Sequence, residues 1–139
     1  MNLGRSPKER LDEIQAVLED LISRDPKAVI LVEGMRDRGA LTILGVKGEM
    51  IQVQSSDGIF AIAERLARDG KSAIIMTDWD RKGGQLGRLL RNALTANAVP
   101  FDDTLRQRLV VVSKQDIKDV QSLPSLYSRL VQEVQARRT

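Results

Sequence analysis

Hydrophobic residues follow two different spacings along this chain. Between Leu11 and Ile22 they recur every three or four residues, as on one face of a helix. Residues 28–32 instead form an unbroken apolar run, which is typical of a strand buried on both faces of a parallel sheet. The alternation of these two patterns along the chain predicts helices and strands in turn, which indicates the α/β class.

Four strands are predicted where such apolar runs occur, at residues 28–32, 50–53, 72–77 and 109–112. Helices are predicted between successive strands, and two more flank the strands at residues 7–24 and about 123–136. Strands joined by helices imply right-handed crossovers. We therefore expect a Rossmann-like sheet of about four parallel strands with helices on both faces.

Local signals suggest several of the boundaries. Ser6 and Glu9 have capping-box spacing at the start of the first helix, and Asp25-Pro26 stops it. One of the polar residues 55–57 is expected to cap the helix that follows the second strand. The helix after the third strand is expected to begin at about Gly84.

The chain is expected to form one domain over residues 1–139, with its core at about residues 28–112. This length suits one hydrophobic core better than two. The start of the chain lacks the apolar segment of a signal peptide, and no apolar run approaches the roughly 20 residues that cross a membrane. We therefore expect a cytoplasmic protein that does not enter a membrane.

The chain contains no cysteine and no histidine. This excludes disulfides, thiol nucleophiles and serine–histidine catalysis, and it argues strongly against zinc, which prefers nitrogen and sulfur ligands. A bound metal ion would be a hard cation held by oxygen, such as Mg²⁺, Mn²⁺ or Ca²⁺. Aromatic residues make up only 3% of the chain, which argues against nucleic-acid binding by stacking on aromatic side chains.

Acidic residues follow two of the predicted strands directly. Glu33 comes after the first strand, and Asp78 and Asp80 come after the third. Ligands of open α/β sheets bind beyond the carboxyl ends of the strands, so these three side chains meet if the two strands are neighbours. Crowded carboxylates raise one another's pKa, and a divalent cation relieves the repulsion. The sequence therefore predicts a metal site of the magnesium class.

Basic residues surround these acids in the sequence, namely Arg36, Arg38, Arg81, Lys82, Arg88 and Arg91. Gly83 and Gly84 would let backbone N–H groups at a helix start approach an anion closely. The formal net charge of +3 is compatible with a polyanionic partner. Acids at the centre with cations around them suit a phosphate group bound through a metal ion, although the cations are also typical of solvated helix faces.

Other phosphate-binding motifs do not fit the sequence. Gly34 and Gly39 have Walker-A spacing, but Ala40-Leu41 stands where lysine and serine or threonine are required. No G-x-G-x-x-G follows a strand. An aspartyl-phosphate phosphatase also uses Asp-x-Asp, but normally on its first strand. Trp79 and Tyr127 are expected to pack in the interior rather than to take part in chemistry.

The two acidic strand ends form a recognisable pair. One is Glu33-Gly34, and the other is Thr77-Asp78-Trp79-Asp80 with Gly83 close behind. Over residues 28–112 the chain resembles the Toprim domain, the catalytic module shared by topoisomerases, bacterial primases, OLD-type nucleases and 5S ribosomal RNA maturases. It is most similar to the small stand-alone Toprim proteins of archaea and some bacteria.

The resemblance implies a role for each acid. Glu33 would act as general acid or base on a phosphodiester, or would share in metal binding. Asp78 and Asp80 would hold Mg²⁺ or Mn²⁺, which polarises the phosphoryl oxygen. The remaining candidates would surround the phosphate or nucleic acid: Gly34, Arg36, Asp37, Arg81, Lys82 and Gly83.

The function expected from these observations is Mg²⁺-dependent phosphodiester chemistry on RNA or DNA, as a nuclease or another nucleic-acid-processing component. The alternative is a non-catalytic, metal-binding module that binds nucleic acid or ribonucleoprotein. A phosphatase of small molecules is a third hypothesis. The sequence does not decide whether the substrate is RNA or DNA. It is compatible with a protein partner and with a homodimer.

Overall fold

Four parallel strands form the centre of the part of the chain that the computed structural model describes, residues 5–137. Their order across the sheet is β2-β1-β3-β4. The strands are β1 (Ala28–Val32), β2 (Met50–Gln52), β3 (Ser72–Ile75) and β4 (Phe101–Asp102). The helices are α1 (Pro7–Ile22), α2 (Met35–Ile43), α3 (Ile59–Arg68), α4 (Arg81–Ala96), α5 (Thr104–Ser113) and α6 (Leu123–Arg137). The predicted α/β class with a parallel four-stranded sheet is confirmed.

The register of the sheet brings the acidic strand ends together. Strands β1 and β3 are neighbours, with Ala28 opposite Ser72 and Leu31 opposite Ile75. Because parallel strands in register end at the same edge, the residues that follow β1 and β3 lie side by side. The condition set by the sequence, that the first and third strands must be neighbours for the acids to meet, is therefore satisfied.

Helices cover both faces of the sheet. Helices α1, α2, α5 and α6 pack on one face, where Ile30 and Val32 belong to the same buried cluster as Ile14 and Leu109. Helices α3 and α4 pack on the other, against the opposite side of β1 and β3. Burial of each large aliphatic side chain contributes roughly 1.5–3 kcal/mol, so the two apolar layers hold the sheet in place. Tyr127 packs against the first layer, as predicted.

The predicted fourth strand at residues 109–112 is wrong. These residues lie within α5, and the fourth strand is the short β4, which precedes that helix. A run of four apolar residues does not by itself distinguish a buried strand from a buried helix. Leu105, Leu109 and Val112 are buried at helical spacing, whereas Val111 is 51% exposed, which identifies one buried helix face.

Two helix starts also differ from the prediction. Helix α3 begins after Gly58, which has a φ of +117° and makes no side-chain cap, so none of residues 55–57 caps it. Helix α4 begins at Arg81 rather than at Gly84, because the carboxylate of Asp80 accepts a hydrogen bond from the Gly83 N–H and caps the helix. The capping box at the start of α1 is present as predicted, between Ser6 and Glu9.

No helix within residues 5–137 is both long and apolar enough to span a membrane. The ends of the predicted domain, residues 1–4 and 138–139, lie outside the described part of the chain.

Candidate metal centre

Glu33 joins the ends of the two central strands. Its side chain is only 6% exposed, and its Oε2 accepts a hydrogen bond of 2.9 Å from the backbone N–H of Asp78. Its own carbonyl oxygen accepts a hydrogen bond of 3.0 Å from the N–H of Gln54, just beyond β2. The carboxylate is therefore held by backbone on the neighbouring strand, in the position that the strand pattern predicts.

Arg106 holds the segment that follows β3. Its Nε donates to the carbonyl oxygen of Thr77 at 2.8 Å, and its Nη2 donates to the carbonyl oxygen of Asp78 at 2.6 Å. The peptide group between Thr77 and Asp78 is thus held at its C=O by Arg106 and at its N–H by Glu33. Arg106 is 7% exposed, so these contacts lie in a poorly solvated environment. The hydrogen bonds from Arg106 and to Glu33 together fix the backbone orientation of Asp78.

The connection between α5 and α6 runs alongside the same strand end. Its Val120 N–H donates to Oδ1 of Asp78 at 2.9 Å, and its Lys118 carbonyl accepts from the N–H of Trp79 at 2.8 Å. The Trp79 indole N–H donates to Oγ of Ser113 at 3.0 Å and the ring packs on the helical layer, as predicted. This connection also places a further acid, Asp119, beside the site.

Asp80 stands at the turn from β3 into α4. Its Oδ1 accepts a hydrogen bond of 2.7 Å from the N–H of Gly83. A Cβ at Gly83 would lie only 2.0 Å from the carbonyl oxygen of Asp78, so the turn requires glycine at this position. The hydroxyl of Thr77 donates to the Gly83 carbonyl at 2.8 Å and closes the turn. Gly83 therefore shapes the site by letting two backbone segments approach.

Together these elements form a cleft of about 330 Å³ at the carboxyl edge of the sheet. Five carboxylates line it, those of Glu33, Asp37, Asp78, Asp80 and Asp119. None of the five forms an ion pair with a lysine or arginine of residues 5–137. The cleft is therefore a concentration of negative charge that no described cation neutralises by direct contact.

Burial and crowding change the acidity of two of these groups. Burial, followed by the charges of Asp37, Glu33 and Asp119, raises the pKa of Asp78 to about 7 against the lowering effect of the Val120 N–H. Burial likewise raises the pKa of Asp37, while the Gly34 N–H, at 3.0 Å from Oδ2 of Asp37, opposes that change. Proton uptake near neutral pH is the usual response of crowded carboxylates that have no cation nearby.

The predicted surround is only partly assembled in the cleft. Gly34 and Arg36 line it together with the acids, whereas Arg81 and Lys82 lie exposed on the first turn of α4 and do not line it. Among the other candidate cations, Arg91 pairs with Asp103 at 3.3 Å. The first turn of α2 thus contributes directly to the cleft, and the first turn of α4 lies at its margin.

Several residues of the site were missed by sequence reasoning. Gln54 follows β2, so the rule that sites lie beyond strand ends could have identified it. Arg106, Asp119 and Gln121 come from α5 and the segment behind it, where no local pattern indicates a functional position. Their role becomes visible only when the chain folds back onto β3.

The donor chemistry of the cleft fits a magnesium-class ion in part. No group of three or more acidic side chains within residues 5–137 is arranged so that it could hold a metal ion. Backbone N–H groups already occupy one oxygen each of Glu33, Asp78 and Asp80. Mg²⁺ nevertheless commonly takes only one or two carboxylates and completes its shell with water and phosphate. The all-oxygen donor set suits Mg²⁺ or Mn²⁺, while the three-ligand set stays a prediction.

Comparison with known proteins agrees with this geometry. The Toprim domain family profile matches residues 21–113. A UPF0292 protein of Methanosarcina barkeri is 32% identical over 130 residues, which cover 94% of this chain and 89% of the relative. A UPF0292 protein of Thermococcus sibiricus is 40% identical over 116 residues, covering 81% of this chain and 89% of the relative.

The fold also matches a solved structure. A protein from Aquifex aeolicus superposes with a TM-score of 0.60 at 21% identity, covering 85% of this chain and 98% of the other. At that identity the likeness concerns the fold alone. Toprim domains are associated with divalent metals such as Mg²⁺ and with nucleic acids. The profile match and the relatives show that this chain belongs to the Toprim family and is one of its small UPF0292 members.

Proposed function

We propose that this protein is a Mg²⁺- or Mn²⁺-dependent nuclease that acts on phosphodiester bonds of RNA or DNA. The observation that carries the proposal is the cleft itself, in which five carboxylates without a direct cation partner lie at the carboxyl edge of the sheet. A fold has no need to crowd acids in this way, whereas a divalent cation and its phosphate ligand would compensate their charge.

Asp78 and Asp80 would hold the metal ion through oxygens that the backbone does not occupy. When bound, the ion supplies Lewis-acid polarisation of the phosphoryl oxygen and stabilises charge on the leaving oxygen. Glu33 would act as the general acid or base, because hydrolysis takes one proton from the attacking water and delivers one to the leaving oxygen. Its Oε2 accepts a hydrogen bond from Asp78 N–H, which leaves Oε1 as the oxygen that would accept the proton.

Basic residues around the cleft would bind the neighbouring phosphates. Arg36 lines the cleft directly, and Arg81 and Lys82 are exposed on the turn after Asp80. None of these three cations has an ion-pair partner within residues 5–137, so each is free to contact a polyanion.

The test is cleavage of end-labelled RNA, single-stranded DNA and double-stranded DNA with Mg²⁺, with Mn²⁺ and with EDTA. The variant Asp78→Asn/Asp80→Asn keeps hydrogen-bond acceptors for Val120 and Gly83 but removes both charges. We expect it to lose cleavage by at least about 100-fold, the usual scale for loss of electrostatic stabilisation. Asp57→Asn removes an acid outside the cleft and serves as the matched control. Unchanged cleavage by the double variant would refute the proposal.

A second function, binding of nucleic acid without catalysis, is favoured by one specific observation. No three acids of the described chain are placed to hold a metal ion together. A binding module would retain salt-dependent affinity for RNA or DNA in the Asp78→Asn/Asp80→Asn variant and would cleave neither. Fluorescence anisotropy with the same labelled strands separates this outcome from the nuclease.

A further inference from the structure

A second groove adjoins the acidic cleft. One wall is the face of α2 that carries Arg36, Gly39 and Ile43, and the other is formed by Gln121, just before α6, and by Ser125 in its first turn. Its volume is about 490 Å³, larger than the 330 Å³ of the cleft. Arg36 and Gln121 line both cavities, so cleft and groove lie side by side, and a ligand that spans both would follow one path along the surface.

The chemistry changes along this path. Carboxylates line the cleft, whereas no acidic residue lines the groove. The groove carries the exposed guanidinium of Arg36, which has no ion-pair partner within residues 5–137. The hydroxyls of Ser122 and Ser125 also bond to no residue of that range. These groups are available as donors to phosphate oxygens.

Two large apolar side chains stand exposed along the same path. Met35 is 74% exposed at the edge of the cleft, and Ile43 is 76% exposed in the groove, about two turns further along α2. Exposed apolar side chains in these positions can contact the apolar parts of a ligand, and the thioether of methionine makes favourable contacts with aromatic rings. The faces of unpaired bases can reach such side chains, whereas bases stacked inside a duplex cannot.

We infer that the groove binds the single-stranded continuation of a polynucleotide whose reacting phosphodiester lies in the cleft. Arg36 and Ser125 contact its phosphates, and Met35 and Ile43 contact its bases. The strand is read through charge and base faces rather than base edges, so recognition is tolerant of sequence. This inference rests on the proposed function, since it names the form of nucleic acid that the same site accepts.

Gly39 allows a direct test, because a Cβ at this position meets no atom within 4 Å. Gly39→Glu places a negative charge in the groove, and Gly39→Gln adds the same bulk without the charge, with similar helix propensity. Thr95→Glu, at the far end of α4, adds the same charge away from the groove. All three variants are expected to fold.

Binding is measured by fluorescence anisotropy with labelled homopolymer strands that range from a dinucleotide to about 12 nucleotides, a length within the roughly 4–16 nucleotides of common single-strand sites. Ca²⁺ replaces Mg²⁺, and gel analysis checks that the strands stay intact. Relative to Gly39→Gln, Gly39→Glu should weaken binding of the longer strands about tenfold, or about 1.4 kcal/mol. It should leave binding of the dinucleotide unchanged, because that ligand fills only the cleft. Thr95→Glu should stay within about twofold of the wild type, since salt screens distant charges.

Equal affinity of Gly39→Glu and Gly39→Gln for long strands would overturn the inference. It would also be overturned if a duplex bound more tightly than the single strands and Gly39→Glu did not weaken that binding. These outcomes are independent of cleavage. If the protein cleaves nucleic acid but Gly39→Glu does not weaken strand binding, the groove proposal is rejected and the nuclease proposal stands. If Gly39→Glu weakens strand binding but the protein cleaves nothing, the groove proposal stands and the nuclease proposal is rejected.

Discussion

Acidic side chains have different partners in the helical layer and in the cleft. In the layer of α1, α5 and α6, Arg108 donates to Glu13 at 2.8 and 3.1 Å and to Asp20 at 3.2 Å. In the cleft, the nearby buried cation Arg106 donates to backbone carbonyls instead of to a carboxylate. The helical layer thus neutralises its carboxylates with arginine, whereas the carboxylates of the cleft remain available to a ligand.

The contrast separates charges that support the fold from charges that suit a ligand. Half-exposed ion pairs such as those of Arg108 each stabilise a fold by at most about 1 kcal/mol. Carboxylates crowded together without a cation have the opposite effect, because their mutual repulsion and their burial both favour the neutral form. Such an arrangement supports the proposal that a metal ion supplies the missing positive charge.

The largest effect is expected from Gly83→Ala, which disturbs the turn that holds the cleft together. The new Cβ would lie 2.0 Å from the carbonyl oxygen of Asp78, so that backbone must move. We expect the free energy of unfolding to fall by about 3 kcal/mol or more, as for severe overpacking. Mg²⁺ binding should be lost at the same time. Denaturant unfolding measures the first, and the fluorescence of Trp79, the one tryptophan, follows the second.

Gly84→Ala is the matched control for this change. A Cβ at Gly84 meets no atom within 4 Å, and alanine is favoured over glycine inside a helix by about 1 kcal/mol. This variant should be as stable as the wild type or more so. Equal loss of stability in the two variants would contradict the role given to the close approach at Gly83.

The next effect compares the two arginines directly. Arg106→Met leaves the carbonyls of Thr77 and Asp78 without their donor, in a buried position, and should lower the free energy of unfolding by about 2–4 kcal/mol. Arg108→Met breaks only half-exposed ion pairs and should lower it by no more than about 1 kcal/mol. Urea denaturation of both variants measures the difference. A larger loss for Arg108→Met would invert the comparison.

The same pair of variants should differ in metal binding. Arg106→Met releases the peptide group that orients Asp78, so Mg²⁺ affinity should fall together with stability. Arg108→Met should leave the Mg²⁺ titration of Trp79 fluorescence unchanged, because none of its contacts reaches the cleft.

The last effect is a dependence on pH that has opposite signs in the two regions. The pKa of Asp78 is raised to about 7 from 3.8, so the native state keeps this proton more strongly than the unfolded chain. Its contribution to stability is full below pH 3.8 and is lost as the pH rises through about 7. The hydrogen bond from Arg108 lowers the pKa of Glu13, so its contribution is full above the unfolded pKa and is lost as the pH falls through the lower native pKa.

Unfolding in EDTA across this pH range measures both contributions. Asp78→Asn should remove the loss of stability toward neutral pH, and Glu13→Gln should leave that loss unchanged. Since a metal ion requires the ionised carboxylate, Mg²⁺ affinity should rise about tenfold per pH unit below about pH 7 and level off above it. A Mg²⁺ affinity independent of pH would show that Asp78 does not bind the ion.

Much of the site could be predicted from the sequence because its central signal is local. An apolar run that ends in an acid indicates both a buried strand and a polar group at its carboxyl edge, which located Glu33 and Asp78. The same reasoning failed at residues 109–112, where four apolar residues fit a strand and a buried helix equally well. Local pattern is reliable only where the length or the spacing of the run excludes the other element.

The α/β class, the acidic strand ends and the requirement for oxygen ligands were determined by the sequence alone, since each depends on residue type and short-range order. The tertiary structure decided which of these groups meet. Arg106 and Val120 lie 28 and 42 residues beyond Asp78, and their hydrogen bonds to it form only because α5 and the following connection fold back onto β3. The crowding that raises the pKa of Asp78, and the groove beside it, arise from that packing, which no local pattern encodes.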